Sequence, residues 1–192
     1  MNAPSVDTAA TSHRMRRLGH LDIPGGGQVV VQGTRAFIGH MQPPYGTTVL
    51  DVSDPRAPRI VAQIKLDDEY SHTHKVRVVG DVMYTNVEQN NRRVARKAAK
   101  IPETRAALEA ELKRPPTNAE IARRIQVKED DIPALEALHK RGYGEGGFKI
   151  WDISDVTRPR LITHQKTGGV GVHRFDVDQS YAYISTEMEG YV

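Results

Sequence analysis

Two stretches of this chain carry nearly the same pattern and limit what it can fold into. One is Val49-Leu50-Asp51-Val52-Ser53-Asp54-Pro55-Arg56-Ala57-Pro58-Arg59-Ile60; the other is Ile150-Trp151-Asp152-Ile153-Ser154-Asp155-Val156-Thr157-Arg158-Pro159-Arg160-Leu161. Each reads as an apolar strand, an Asp, a Ser-Asp turn, a Pro near the re-entry point and a second apolar strand. Alternating apolar residues make the strands. Ser and Asp open the turn through side-chain to backbone hydrogen bonds, and Pro pre-sets the backbone at its far side. The expectation is two equivalent β-hairpins.

Other segments fall into register with these. Gly33 matches Gly80 at an offset of 47, His74 matches His173 at 99, and the Asp-x-Ser-Asp hairpins lie 101 apart. One period of 47 taken from 101 leaves an insertion of 54 residues in the second copy. Strands are expected at Arg16–Ile23, Gln28–Val31, Arg35–Gly39, the first hairpin from Thr48 to Ile64, His74–Val79, Val82–Val87, the second hairpin through His164, His173–Val177 and Tyr181–Thr186. Tight turns fall at Gln32-Gly33 and Gly80-Asp81. A period of roughly 45 residues with four strands per unit is the signature of β-propeller blades.

The segments Leu50-Asp51-Val52-Ser53-Asp54-Pro55 and Ile150-Trp151-Asp152-Ile153-Ser154-Asp155, with Pro58 and Pro159 downstream, resemble the LVIVD repeat of bacterial and archaeal β-propellers. The resemblance covers most of the chain outside an N-terminal arm and the insertion. It implies a mainly β fold: a partial β-propeller of about two to three blades, each a four-stranded antiparallel sheet, with an α-helical insertion. It specifies architecture and leaves activity open, since propellers host many functions. The expected organisation is a flexible arm over 1–15, propeller over 16–91, a helical insertion over 92–145 and propeller again over 146–192. So few blades suggest a fragment or N-terminal portion of a longer propeller, or completion by self-association through open blade edges. Phe148 and Trp151 are expected to fill the space between blades.

Composition excludes several classes. There is no cysteine among the 192 residues. Disulfides and thiolate metal sites are therefore absent, and His and carboxylates are the strong metal ligands that remain. No apolar run approaches the roughly 20 residues of a membrane-spanning helix. Met1 to Ser12 lacks the apolar stretch of a secretory signal, so the cytoplasm is the expected compartment. Net charge is +3, and its basicity sits in one place. Arg92 to Arg141 holds 13 Lys and Arg against 8 Asp and Glu, leaving 14 against 16 elsewhere.

The insertion reads as helical. Arg92 to Lys113 is rich in good helix formers, with Pro102 as a break or restart. Thr117-Asn118-Ala119-Glu120 is a capping box for a helix through Ile125. Asp131 is a candidate N-cap for a helix from Ile132 to Lys140. Ile121, Ile125, Ile132, Leu135 and Leu138 form the expected shared seam. Pro116 to Ile125 resembles the helix-turn-helix of bacterial sigma factors. The second helix, however, opens on Glu129-Asp130-Asp131, whose carboxylates suit the helix dipole and repel phosphate. A helical lid or assembly element beside the propeller mouth fits these charges better than a nucleic-acid reader.

Chemistry concentrates at the mouth. The repeat alignment puts Gly27, His74 and His173 at one position, the start of the innermost strand. It puts Met41, Glu88 and Glu187 at another, just past the second strand. In the Gly80-Asp81 hairpin the expected pairing sets His74 opposite Val87, with Glu88 diagonal to it. His72 lies two residues before His74, and His40 at the mouth of the first unit. His74, His173, Glu88, Glu187, His72 and His40 are thus the candidate ligands of an axial metal, for which Fe, Mn or Zn is suited. That reading makes the protein a metal-dependent enzyme of unspecified reaction. The alternative is a non-catalytic scaffold that binds a protein or small molecule. Gly25-Gly26-Gly27 precedes a strand and so lacks the helix N-terminus of a phosphate loop. Asp51, Asp54, Asp152 and Asp155 are assigned to turns.

Overall fold

The computed structural model describes residues 16–187, with the Glu187 side chain outside what is described. The proposed arm over 1–15 lies outside this range. The fold is mainly β, built from antiparallel sheets, with four α-helices among the described residues, all within one insertion. Strands β1 (Gly26–Gln32), β2 (Arg35–His40), β3 (Tyr45–Asp51) and β4 (Arg59–Lys65) form one four-stranded meander in that order. A second unit joins β5 (Ser71–His72), β6 (Val76–Val79), β7 (Val82–Gln89), β8 (Gly147–Asp152) and β9 (Arg160–Lys166), with β5 and β6 sharing one side of β7. The hairpin β10 (Gly171–Val177) and β11 (Ala182–Glu187) joins this unit where Gly171 pairs with Glu88, making one seven-stranded sheet in all.

The two Asp-x-Ser-Asp hairpins are alike in detail. Asp51 Oδ1 accepts from the Ser53 N–H at 3.0 Å, and Asp152 Oδ1 accepts from the Ser154 N–H at 2.9 Å. Arg59 and Arg160 close on the other carboxylate oxygen of each Asp. The Asp54 and Asp155 side chains accept from Arg56 N and Thr157 N. The ladder slips between Val49 and Leu50 in one unit and between Ile150 and Trp151 in the other, at equivalent positions. A bulge increases local twist, so both sheets bend at the same place.

Strand alternation decides which faces are buried. On the first sheet Ala36 lies opposite Leu50, and Phe37 opposite Val49. Ala36, Ile38 and Leu50 pack with Leu21, Ile23 and Val52 on one face. Phe37 and Val49 pack on the other, with Val76, Met83 and Ile153 of the second unit and the half-buried Trp151. The opposite face of the second unit puts Phe148 against Val172 and Phe175 of β10, with the Phe148 and Phe175 rings 4.9 Å apart, edge to face. Phe148 and Trp151 thus do fill the space between units.

Three details differ from the sequence expectation. Arg16–Ile23 is not a strand: Leu21 and Ile23 cover the outer face of the first sheet, and the segment joins no ladder. The first turn is Gly33-Thr34, since Gln32 already pairs with Arg35. The strand expected at His74–Val79 is broken: β6 pairs as Val76 with Thr85, whereas β5 pairs as His72 with Glu88, one residue out of that register. The unpaired stretch between them turns toward the first unit. The Thr73 N–H donates to the His40 carbonyl at 3.2 Å, and the His40 N–H donates back to Thr73 at 3.0 Å. The Gln28 N–H donates to the His74 carbonyl at 3.0 Å.

The insertion has its own core. Helices α1 (Arg92–Ala99), α2 (Ile101–Leu112), α3 (Asn118–Ile125) and α4 (Ile132–Arg141) bury Ala98, Ile101, Leu108, Ile121, Ile125, Ile132 and Leu135 together, with Leu138 at its edge. Pro102 restarts the helix in the first turn of α2, where its missing N–H costs nothing. The Thr117–Glu120 capping box forms as expected. Asp131 caps differently: its carboxylate accepts from the Lys128 N–H, and a 3₁₀ turn over Glu129–Asp131 leads into α4. No helix among the described residues is long and apolar enough to cross a membrane.

Close approach of the first two units depends on Gly39, where a Cβ would lie 2.5 Å from the Thr73 carbonyl oxygen and 2.6 Å from the His74 carbonyl carbon. Gly39→Ala should destabilise by about 3 kcal/mol, roughly 6–12 °C in Tm. Gly33 is the control: it needs φ +58° and a Cβ there meets nothing within 4 Å. Gly33→Ala should cost only about 1–2 kcal/mol for the left-handed backbone. Thermal melts of the two variants check the difference.

Candidate metal centre

Four of the six candidate residues meet around one carboxylate. Glu88 is 1% exposed and stands near the end of β7. Its Oε2 lies 2.9 Å from His173 Nδ1, 3.2 Å from His72 Nε2 and 3.8 Å from His74 Nδ1. The rings of His72 and His74 are 4.8 Å apart, and those of His74 and His173 are 5.4 Å apart. His72, His74 and Glu88 form a buried group able to hold a metal ion, with donor atoms all within 4.8 Å of one another.

Register explains the convergence. Side chains directly opposite in an antiparallel pair share a face, and a slip of one residue reverses it. In the β6–β7 register, Glu88 would oppose Thr73, and both histidines would point to the other side. The irregular stretch at residues 73–75 shifts the pairing, so His72 lies directly across from Glu88. The Asn86 side chain braces this stretch: its Oδ1 accepts from the Lys75 N–H at 2.9 Å.

Neighbouring amides set the tautomers. Asn90 Nδ2 donates to the Glu69 carbonyl at 3.2 Å, which turns Asn90 Oδ1 toward His72 Nδ1 at 2.9 Å. His72 Nδ1 therefore carries a proton; in the neutral ring the Nε2 lone pair then faces Glu88, and in the imidazolium Nε2–H donates to it. Asn86 Nδ2 donates to the Val172 carbonyl at 2.9 Å and stands 3.3 Å from His74 Nδ1. That nitrogen is accordingly an acceptor too. For His72 the partner sits on the far ring nitrogen, a recurrent feature of metal sites; for His74 Asn86 meets the same nitrogen that faces Glu88.

Charges follow the geometry. Burial, with the neighbouring His72 and Lys75, pulls the His74 imidazole down to about 4, so it is neutral near pH 7. Burial works to raise the Glu88 carboxyl, but hydrogen bonds with His72 and His173 outweigh it and hold the group at about 2. Its second oxygen, Oε1, faces Arg92 Nη1 at 3.1 Å as an ion pair but takes no hydrogen bond. Arg92 is the first residue of α1, so the insertion begins at the centre itself.

Of the other two candidates, one turns away. The His40 backbone pairs with Thr73, but its ring bonds to Thr48 Oγ1 at 2.8 Å and packs on Tyr45. Glu187 pairs with Gly171 through its backbone, and its side chain is outside the described residues. Asn86, Asn90 and Arg92 were not foreseen. The Asn90-Asn91 break in strand pattern was the available signal for the last two. Neither a family model nor a curated protein matches the chain.

Metal-free protein should lose stability in two acid steps. Between pH 6.5 and 4 the unfolded chain protonates a histidine that stays neutral at position 74 in the fold. Between 4.5 and 2 it protonates a carboxyl that stays ionised at Glu88. Each step should remove on the order of 3 kcal/mol. Urea unfolding from pH 7 to pH 2 measures this, and His74→Gln should shrink the upper step, to which burial of His40 and His164 also contributes, while sparing the lower.

Proposed function

We propose that this chain is a propeller-type repeat protein, similar to the LVIVD proteins, whose inner strands hold a divalent metal that serves an enzymatic reaction. Equivalent hairpins, equivalent bulges and side-by-side packing of successive units support the propeller reading. His72, His74 and Glu88 are the proposed ligands. Two imidazoles and a carboxylate suit Fe(II), Mn(II) or Zn(II) without any cysteine.

One observation carries the metal reading. The Asn90 contact at 2.9 Å commits His72 Nδ1 as a donor, so Nε2 meets the Glu88 carboxylate acceptor to acceptor at 3.2 Å. A second proton on the ring relieves that for His72 alone; a metal ion relieves it with the ring left neutral. His74 Nδ1 stands 3.8 Å from the same oxygen, and a metal that displaced its Asn86 contact would draw on all three donors at once. His173 Nδ1–H donates to Glu88 and steadies it. Arg92 holds the second oxygen and leaves Oε2 to the centre.

Bound there, a divalent metal supplies a Lewis acid to a ligand entering from outside. The residues around it orient that ligand and keep the site dry. Chelator-stripped protein should take up one equivalent of Zn(II), Mn(II) or Fe(II) by calorimetry and elemental analysis. At 100-fold over its Kd the metal should add about 2.7 kcal/mol of stability. Glu88→Gln and His72→Ala should weaken uptake by at least about 100-fold, and Asn90→Ala by about 10–100-fold. Uptake unchanged in folded Glu88→Gln and His72→Ala, with circular dichroism as the check on folding, would remove the proposal.

A further inference from the structure

A cleft of about 520 Å³ lies where the helical insertion faces the mouth of the β units, and His72 is part of its lining. Its walls include Met41 after β2, Val94 of α1 and Leu138 of α4. Met41 is 48% exposed and Val94 46%, although both are apolar. Two exposed apolar side chains from distant parts of the sequence thus face the same space. Tyr70 and Arg141 close it on another side.

Arg141 is placed as a receptor. Its guanidinium carbon sits 3.5 Å from the centre of the Tyr70 ring, so the aromatic face fixes its plane. Its Nε–H reaches only the Gly142 carbonyl at 3.5 Å. The terminal nitrogens have no acceptor among the described residues. A stacked guanidinium with its N–H edge open matches the fork of a carboxylate. Glu69 also lines the cleft, and its negative charge disfavours a second anionic group.

We infer that this cleft is the substrate pocket of the proposed centre, and that it takes a small monocarboxylate with an apolar, ring-sized body. The carboxylate lies on Arg141, the body between Met41, Val94 and Leu138, and the other end points toward His72. Only the last part rests on the metal reading. Arg141 also complements the C-terminal dipole of α4, but that role requires no apolar walls in front of it.

Benzoate and its neutral analogue benzamide are suitable probes, titrated into zinc-loaded and metal-free full chain and followed by amide chemical shifts. Benzoate should shift resonances of the residues around the cleft and bind at least about tenfold more tightly than benzamide. Arg141→Gln should weaken benzoate about tenfold, leave benzamide unchanged and leave zinc uptake intact; Leu138→Glu should weaken both probes. Equal binding of the two probes, or benzoate binding insensitive to Arg141→Gln, would overturn the inference. So would zinc uptake with no benzoate binding at 10 mM, which leaves the metal reading standing. If the chain takes up no zinc while benzoate still depends on Arg141, the cleft stands and the metal reading fails.

Discussion

Backbone contact between the inner strands of successive units holds this protein in its functional shape. Thr73 and His40 exchange hydrogen bonds, Gln28 reaches the His74 carbonyl, and Gly171 pairs with Glu88. These bonds satisfy polar groups that would otherwise be buried alone. They also demand that main chains approach more closely than side chains permit. Gly39 and Gly171 meet that demand, the latter at φ +89° with its Cα side against the Val87 carbonyl. Because His74, Glu88 and His173 sit at or beside these same contacts, joining the units is also what assembles the candidate centre.

The centre is an electrostatic compromise. A buried carboxylate is expensive unless it is paired. Glu88 is surrounded by three imidazoles and one guanidinium, yet the imidazole beside it at position 74 is held neutral by the same burial. Asn86 and Asn90 then decide which ring nitrogens carry protons. In the neutral rings this turns the His72 Nε2 lone pair toward an anion, which a bound cation would satisfy. Structural hydrogen bonding alone would be better served by N–H groups pointing inward, as at His173.

The helical insertion folds around a separate apolar core but is fastened to the centre at both ends. Its first residue, Arg92, is ion-paired with Glu88. Beyond its last helix, the Tyr143 hydroxyl bonds to Ser71 Oγ at 2.8 Å, next to His72. The Arg141 guanidinium stacks on Tyr70. An excursion anchored in this way forms a wall of the cleft beside the candidate centre.

Local chemistry was legible in the sequence. The Asp-x-Ser-Asp hairpins, the capping box at Thr117–Glu120, the Gly80-Asp81 turn and the seam from Ile121 to Leu138 all depend on residues close in the chain or on simple periodicity, and the structure has them. The recurrence of His and Glu at repeat positions likewise pointed to the mouth. What the sequence could not supply was register and direction. Regular pairing would have sent Glu88 and the two neighbouring histidines to opposite faces, and only the irregular stretch at 73–75, pulled toward the first unit by His40 and Gln28, brings them together. The same contacts are made by the His40 backbone while its ring turns to Thr48, a choice invisible to any alignment of repeats. By itself the sequence determined most of the strands and helices, the expected strands at Arg16–Ile23 and across His74–Val79 excepted, and which residue types face the centre. The tertiary structure decided which of those side chains touch, because hydrogen bonds between units override the pairing that each hairpin would adopt alone.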